Sequence, residues 1–221
     1  MRRLLVLRPE PGASATVERA RALGLDAFAI PLFKIATIAW ELPDIANFDG
    51  LLLTSANAVS FAGHGLEQLR GLPVYAVGNA TASAARDAGF DIAATGDKGI
   101  DRLLGSITPD LKLLHLCAGD RRDPSNHRQR IKPLQVYRSN PVERPDLSAA
   151  TGAVAMIHSP RAGRRLGELV RERRSMAIAA ISSAAADAVG GGWEAVEAVS
   201  EPDDEALLAL AARLCKKPAP K

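Results

Sequence analysis

Four short polar stretches directly follow apolar runs, and they contain the residue types that bind anions at helix N-termini. They are Thr54-Ser55-Ala56-Asn57, Gly78-Asn79-Ala80-Thr81, His158-Ser159-Pro160-Arg161 and Ser182-Ser183. Serine, threonine and asparagine favour the start of a helix, where the first backbone N–H groups have no intrahelical partner. These N–H groups also bind carboxylate or phosphate, aided by the positive end of the helix dipole. Capping alone explains any single stretch, but four in register favour anion sites.

Alternating strands and helices position these stretches. Short apolar runs predict strands at Arg3–Leu7, Ala27–Pro31, Gly50–Thr54, Val74–Val77, Lys112–Cys117, Leu134–Tyr137, Val154–His158 and Ala177–Ile181. Amphipathic runs predict helices at Ala13–Leu23, Ala56–Leu69, Thr81–Ala88, Arg161–Arg173 and Ala184–Val189. Apolar strands separated by helices are typical of parallel sheets covered on both faces. The predicted fold class is therefore α/β, with ligands expected beyond the carboxyl ends of the strands.

The chain contains an internal repeat. The segment that begins at Gly50 aligns with the segment that begins at Val154, at a constant shift of 104 positions and without a gap. Leu53-Thr54-Ser55 then meets Ile157-His158-Ser159. More loosely, "RRLLVLRPE" resembles "LKLLHLCAGD" and "DAFAIPLFKI" resembles "PLQVYRSNPV". The repeat predicts two similar α/β halves, each with two of the polar stretches.

Two further stretches, "KIATIAWELPD" and "RSNPVERPD", follow equivalent predicted strands and are rich in turn and polar residues. Such composition is typical of connections. If both stretches cross between domains, residues 1–34 and 142–221 form one discontinuous domain. Residues 38–138 then form an inserted domain, with connectors at 35–37 and 139–141. A tandem division near Pro109 fits the pattern as well.

Composition narrows the function classes. The chain has 221 residues, of which 47% are hydrophobic and 24% charged, with a net charge of +3, as in ordinary globular proteins. Basic residues cluster in "DRRDPSNHRQRIK" and "SPRAGRRLGELVRERR" without interleaved aromatic side chains, which argues against nucleic-acid binding. No apolar run reaches the length of a membrane span or has the features of a signal peptide. With two isolated cysteines, Cys117 and Cys215, these features predict a cytoplasmic protein.

The sequence lacks the usual cofactor and catalytic motifs. No GxGxxG follows a predicted strand, and there is no Walker lysine, no G-x-S-x-G elbow and no His/Cys/Asp cluster at metal-ligand spacing. His158 is interpreted as a packing residue or as a neighbour of the binding groups, and His64, His115 and His127 as surface or core residues. We therefore expect no metal and no cofactor, so that any reaction depends on binding geometry and electrostatics.

Six motifs occur in an order and spacing that resemble those of the uroporphyrinogen-III synthase family. They are "LLLTSANAV", "VYAVGNATASAARDAGF", "HLCAGDRR", "VYRSNPVE", "IHSPRAG" and "AIAAISSAAADAV", and they extend over nearly the full chain. Each motif is short, but the ordered set is fairly specific. The resemblance implies two similar parallel-sheet α/β domains joined by a two-stranded connector, with the cleft between them. It therefore implies the discontinuous arrangement of domains.

The resemblance also implies a lyase that works without a cofactor. Its reaction would cyclise hydroxymethylbilane, a linear tetrapyrrole polycarboxylate, with inversion of ring D and loss of water. Departure of the hydroxyl would leave an azafulvenium-type cation, whose attack at the substituted carbon gives a spiro intermediate. Because unassisted closure gives the symmetric isomer, the enzyme must fold the chain before it reacts. We also expect a monomer with no nucleic-acid or membrane partner.

The family's binding residues carry over onto the polar stretches. From the inserted domain, the expected substrate-binding residues are Thr54, Ser55, Asn57, Gly78, Asn79 and Thr81. From the other domain they are Ser159, Arg161, Ser182 and Ser183. Arg8, which follows the first predicted strand in "VLRPEP", is expected to bind a substrate carboxylate as well. The resemblance implies that Tyr137, in "VYRS", assists departure of the hydroxyl, although an aromatic side chain at a strand end could equally serve packing.

The chain departs from the family pattern at two places. Family members often have Gly and Thr where this chain has Ser182-Ser183-Ala184-Ala185, which puts the contribution of that turn in doubt. The stretch from Asp120 to Pro133 is short and contains Pro124, so we expect a brief helix there or none.

Two other functions fit the sequence. A two-domain protein that binds or senses a small anion without turnover fits the repeat and the missing catalytic groups. A degenerate nucleotide-binding enzyme fits less well, because the glycine fingerprint is absent.

Overall fold

The computed structural model describes residues 1–96, 99–119, 123–125 and 127–218. The chain divides into two compact units. Met1–Lys34 and Pro141–Lys221 form the first, and Ile35–Asn140 forms the second. We call them the terminal unit and the inserted unit.

Strands and helices alternate along most of the chain. The strands are β1 Leu4–Val6, β2 Ala27–Ala29, β3 Phe33–Thr37, β4 Gly50–Leu53, β5 Val74–Val77, β6 Ile92–Gly96, β7 Lys112–Ala118, β8 Arg130–Pro141, β9 Val154–Ile157, β10 Ala177–Ala180 and β11 Ala195–Ala198. The helices are α1 Gly12–Ala22, α2 Ala56–Phe61, α3 Asn79–Asp87, α4 Ile100–Ser106, α5 Pro160–Leu169, α6 Ser183–Ala188 and α7 Asp204–Lys216. Short 3₁₀ helices occur at Ile45–Asn47 and Gly63–Leu69. Of the described helices, none combines the length and the apolar character needed to cross a bilayer.

The terminal unit contains a five-stranded sheet with the order β11-β10-β9-β1-β2. All four strand pairs are parallel. Successive residues of β1 enter different hydrophobic clusters: Leu4 and Val6 pack with α1 and α7, whereas Leu5 packs with α5 and α6. Because side chains alternate across a strand, both faces of the sheet are buried. This confirms the predicted parallel α/β class for the terminal unit.

The inserted unit contains a six-stranded sheet with the order β3-β8-β7-β4-β5-β6. The pairs from β8 to β6 are parallel. Alternate residues again enter different clusters, Leu51 and Leu53 on one face and Leu52 on the other. The continuous apolar run in "GLLLTS" therefore belongs to a central strand that is covered on both faces.

The two sheets repeat one strand order. β9, β10 and β11 follow one another in the terminal unit as β4, β5 and β6 do in the inserted unit, and β1 and β2 take the places of β7 and β8. β4 begins at Gly50 and β9 at Val154, which is the shift found in the sequence. The element bounds thus agree with the internal repeat, including the looser pairing of the upstream runs.

Two predicted helices are shorter than expected. The amphipathic run from Ala56 to Leu69 is α2 followed by a 3₁₀ helix, because Gly63 adopts a left-handed φ of 75° that interrupts the α-helix. The run from Arg161 to Arg173 ends as a helix at Leu169, since Val170 already has extended backbone angles. The sequence analysis also predicted none of the strands β3, β6 and β11 and neither of the helices α4 and α7.

The two stretches interpreted as connections are partly strands, so that interpretation was wrong for their first residues. β3 includes Lys34–Thr37, and β8 continues through Arg138–Pro141. Phe33 and Ile35 are buried while Lys34 is exposed. This alternation is that of a half-buried strand, whose polar residues occupy the solvent face.

The stretch from Asp120 to Pro133 is described in part. Residues 123–125 and 127–129 are not helical. The end of the "HLCAGDRR" motif, residues 120–122, lies outside the described residues.

Gly50, the first residue of β4, provides a stability test. A Cβ there would lie 2.7 Å from Cε2 of Tyr75 and 2.8 Å from the carbonyl oxygen of Pro73. That carbonyl accepts the N–H of Leu51, so moving it disturbs the β4–β5 ladder. We expect Gly50→Ala to lower the free energy of unfolding by about 1–3 kcal/mol, as overpacking does, in urea titrations.

Gly71→Ala is the control, because a Cβ at Gly71 meets no atom within 4 Å. Equal stability of the two variants would contradict the close approach at Gly50.

Candidate functional site

Each sheet has one edge at which its parallel strands end, and the predicted binding residues lie at these two edges. In the inserted unit, Leu53 pairs with Leu116 of β7 and with Ala76 of β5. Ala118 of β7 pairs with Tyr137 of β8. The register therefore brings Thr54, Gly78 and Tyr137 to the same edge, which we call the inserted edge.

Thr54 and Ser55 have separate partners at the inserted edge. Oγ1 of Thr54 lies 3.1 Å from Nε2 of His115, a side chain that is only 1% exposed. Oγ of Ser55 accepts a hydrogen bond of 3.2 Å from the N–H of Asn57 and caps α2. A capping hydroxyl uses its oxygen as acceptor and keeps its O–H as a donor. Ser55 can therefore cap α2 and donate to another group at the same time.

The Ser55 side chain is close enough to the Tyr137 phenol to influence its ionisation. Burial raises the pKa of the Tyr137 phenol above its ordinary value, against a smaller opposing effect of Ser55. The phenol consequently keeps its proton at neutral pH and can donate it in a hydrogen bond. The structure thus brings together the predicted catalytic residue and one of the predicted binding residues.

The second junction of the inserted edge is a glycine turn. Gly78 has a φ of 85°, which favours glycine, and α3 begins directly after it at Asn79. Gly78 offers no capping side chain to the first N–H groups of α3. Asn79 is exposed, whereas Thr81 is only 5% exposed.

The terminal unit has an equivalent edge, which we call the terminal edge. Ile157 of β9 pairs with Ala180 of β10, and Met156 pairs with Val6 of β1. Ser159 caps α5 by accepting the N–H of Ala162 at 3.2 Å. Ser182 caps α6 by accepting the N–H of Ala185 at 3.2 Å.

The remaining predicted residues of the terminal edge differ in accessibility. Ser183 is the exposed first residue of α6. Arg161, in the first turn of α5, places its guanidinium 4.3 Å from the ring centroid of Phe33. Such stacking fixes the guanidinium plane while the side chain stays partly exposed.

Arg8 lies within a cluster of charged groups at the terminal edge. Its Nη1 is 3.1 Å from Oδ1 of Asp204, the first residue of α7. Arg19 of α1 forms an ion pair with the other carboxylate oxygen. Nε2 of His158 is 3.2 Å from Oδ1 of Asp204. Asp204 is therefore shared among three basic side chains.

The cluster alters the ionisation of two of its members. The contact with His158 contributes most to holding the pKa of Asp204 well below its ordinary value. The hydrogen bond from Arg19 and the nearby charge of Arg8 add to this effect, although partial burial opposes it. Burial lowers the pKa of His158, and Asp204 offsets only part of this effect. At neutral pH the cluster then contains two guanidinium cations, one carboxylate and a neutral imidazole.

Sequence reasoning missed Asp204, Arg19 and the role of His115. An acidic residue in a first helical turn is an ordinary helix-start signal, so Asp204 pointed to a helix start and not to a binding site. No sequence feature indicated a role for Arg19 in a site, because a basic residue on an amphipathic helix is usually exposed to solvent. His115 is a core residue, as one of its two interpretations had it, but it contacts Thr54.

Metal-ligating side chains are not grouped in the part of the chain that the structure describes. No set of three or more His, Cys, Asp or Glu residues there could hold a metal ion.

Comparisons with known proteins point to one family. A family model described as uroporphyrinogen-III synthase HemD matches residues 14–209. A uroporphyrinogen-III synthase of Chlorobaculum parvum is 33% identical over 90 residues, which cover 37% of this chain and 37% of that protein. One of Salmonella typhimurium is 34% identical over 121 residues, which cover 49% of each. These matches thus span about half or less of each relative.

Solved structures resemble the chain over a greater length. The uroporphyrinogen-III synthetase of Helicobacter pylori has a TM-score of 0.67 at 19% identity, covering 97% of this chain and 100% of that one. A mutant uroporphyrinogen III synthase of Thermus thermophilus has a TM-score of 0.53 at 17% identity, covering 97% and 98%. At these identities the likeness concerns the fold.

The charged cluster predicts a pH dependence of stability. Because the pKa of Asp204 is lowered by folding, its contribution to stability is present above the unfolded aspartate pKa of about 4. It is lost as the pH falls through the folded value. We expect Asp204→Asn to lower the melting temperature most at pH 6–7. The difference in melting temperature from the wild type should shrink towards pH 3. Thermal unfolding followed by circular dichroism provides the measurement.

Asp91→Asn is the control, since Asp91 is exposed and has no ion pair among the described residues. A difference between wild type and Asp204→Asn that stays constant with pH would show that the carboxylate charge does not stabilise the fold.

Proposed function

The chain belongs to the uroporphyrinogen-III synthase family, and we propose that it cyclises hydroxymethylbilane to uroporphyrinogen III, with inversion of ring D and loss of water. The observation that carries the proposal is the family match over residues 14–209. The paired helix starts of the two edges support it independently, because the substrate carries an acetate and a propionate on every ring.

We assign substrate binding to residues at both edges. Helix starts bind carboxylates through backbone N–H groups and need no formal positive charge. Ser55, Ser159 and Ser182 cap their helices through oxygen and retain their hydroxyl protons as donors. The other residues assigned to binding are Arg8, Thr54, Asn57, Gly78, Asn79, Thr81, Arg161 and Ser183.

The reaction needs little conventional acid–base chemistry. The hydroxyl leaves from the terminal carbon as hydroxide, and the substituted carbon of ring D then donates its electron pair to the resulting cation, which gives a spiro intermediate. The spiro intermediate then reopens and closes in the inverted sense. The enzyme acts chiefly by holding a flexible polyanion in the conformation that favours this attack. The protonated phenol of Tyr137 donates a hydrogen bond to the departing oxygen.

The chain is thus a lyase of tetrapyrrole and heme biosynthesis that uses no cofactor. We place it in the cytoplasm as a monomer. Cys117 and Cys215 are both buried and form no disulfide with each other, which is in keeping with a reducing compartment.

Product analysis tests the proposed function. Purified protein supplied with hydroxymethylbilane should give predominantly the type III isomer, because the bound chain is folded for ring inversion before it closes. The isomers are separated by chromatography after oxidation to porphyrins. A product mixture identical to that of a protein-free control would refute the activity. Saturable binding of the tetrapyrrole without conversion would instead indicate an anion-binding protein.

The contribution of the phenol is tested by Tyr137→Phe. Loss of a hydrogen bond to a departing oxygen should lower kcat about 10- to 100-fold. KM should change little, since the phenol acts on the departing group. Steady-state kinetics with the natural bilane provide the measurement.

Tyr75→Phe is the matched control, because Tyr75 packs partly buried on the other side of the sheet. An unchanged kcat in a folded Tyr137→Phe protein would leave Tyr137 with a packing role only.

A further inference from the structure

Arg8, Arg19 and His158 converge on Asp204 although they come from separate segments. Arg8 follows β1, Arg19 belongs to α1, His158 follows β9 and Asp204 begins α7. The contacts to Arg8 and His158 are 3.1 Å and 3.2 Å. The carboxylate of Asp204 thus contacts side chains from three other segments at the terminal edge.

The cluster carries more positive than negative charge. Two guanidinium groups face one carboxylate, and the side chains of Arg8, Arg19 and Asp204 are 33%, 42% and 34% exposed. Among the described residues, Arg8 donates only to Asp204, and Arg19 donates to Asp204 and Thr16. A guanidinium has five N–H donors in a planar fork that matches a carboxylate. Donors therefore remain for a second anion.

Gly12 determines where the Arg8 guanidinium can lie. A Cβ built on Gly12 would be 2.6 Å from Nε and 2.9 Å from Cζ of Arg8. The guanidinium thus packs directly on the backbone at the start of α1. Packing a cation at this positive end of a helix dipole is unfavourable by itself. The Asp204 carboxylate compensates for it.

We propose that Gly12 and Asp204 are positioning residues that hold Arg8 for a carboxylate of the substrate, with Arg19 as a second donor. The inference rests on the proposed function, since it takes the ligand to be one acetate or propionate arm of the bilane. Gly12 supplies the space for the guanidinium and Asp204 supplies its orientation. Preorganisation of this kind lowers the entropy cost of binding a flexible polyanion.

A purely structural ion pair is the competing explanation. Glu197 provides the comparison, because it pairs with Arg213 and Lys217 in the same unit. If Asp204 acts only as Glu197 does, neutralising either carboxylate should affect stability and leave ligand binding unchanged.

The first experiment moves Arg8 without changing any charge. Gly12→Ala should displace the guanidinium, because the side-chain end yields more readily than the backbone. Affinity for uroporphyrin, the stable oxidised octacarboxylate, is measured by titration calorimetry, together with KM and kcat for the bilane. We expect the Kd for uroporphyrin and the KM for the bilane to rise about tenfold, because about one charge-assisted hydrogen bond is lost. The kcat should stay within about threefold of the wild-type value.

Gly105→Ala is the matched control. Gly105 also lies in a helix, α4, and a Cβ there meets no atom within 4 Å. Kd and KM for Gly105→Ala should equal those of the wild type. If Gly12→Ala binds and turns over like Gly105→Ala, the inference is overturned.

The second experiment neutralises the carboxylate. Asp204→Asn should raise the uroporphyrin Kd about tenfold, whereas Glu197→Gln should not change it. Asp204→Glu should recover part of the affinity, since a carboxylate is again available to the arginines. Equal Kd values for Asp204→Asn and Glu197→Gln would reduce Asp204 to a structural ion pair.

The two measurements separate this inference from the proposed function. If the wild type converts the bilane to the type III isomer but neither Gly12→Ala nor Asp204→Asn weakens binding, only the positioning role fails. If the wild type binds uroporphyrin without converting the bilane, and both variants weaken that binding, the carboxylate site stands and the proposed activity fails.

Discussion

The parallel arrangement of strands is the constraint on which the rest of the structure depends. Parallel strands end at the same edge of their sheet, and every following helix starts there with unpaired N–H groups. The register therefore gathers Thr54, Gly78 and Tyr137 at one edge, and His158 and Ser182 at the other. Donors for an anion accumulate at these edges without any dedicated cationic motif.

Capping serines serve two purposes at these edges. Ser55, Ser159 and Ser182 each accept one backbone N–H in the first turn of a helix. The bond stabilises the helix by about 1 kcal/mol and fixes the side-chain rotamer. Because the hydroxyl proton is not used in capping, the same residue can donate to a ligand from a fixed position. Stability of the helix and preorganisation of the edge therefore come from one contact.

Buried and half-buried polar groups give the two edges different electrostatics. The inserted edge combines neutral groups: a protonated Tyr137, Ser55 and the Thr54–His115 pair. The terminal edge contains the charged cluster around Asp204, in which cations outnumber the carboxylate. The internal repeat thus keeps the positions of the helix starts, and Ser55 and Ser159 also share extended backbone angles. The second pair differs, because Gly78 has a φ of 85° whereas Ser182 has a φ of −164°.

The sequence by itself determined the parallel α/β class, the repeat and the positions of the four helix starts. These features depend on local patterns of apolar and small polar residues, and each pattern is complete within a single strand–helix unit. Only the tertiary structure decided which distant groups meet. Asp204 forms ion pairs with Arg8 and Arg19. His115 contacts Thr54, and Tyr137 lies near Ser55. These contacts form because the strand order places the segments side by side. The half-buried strand β3 was missed for a related reason. It is a strand because it pairs with β8, which is distant in sequence, and its polar residues then face solvent.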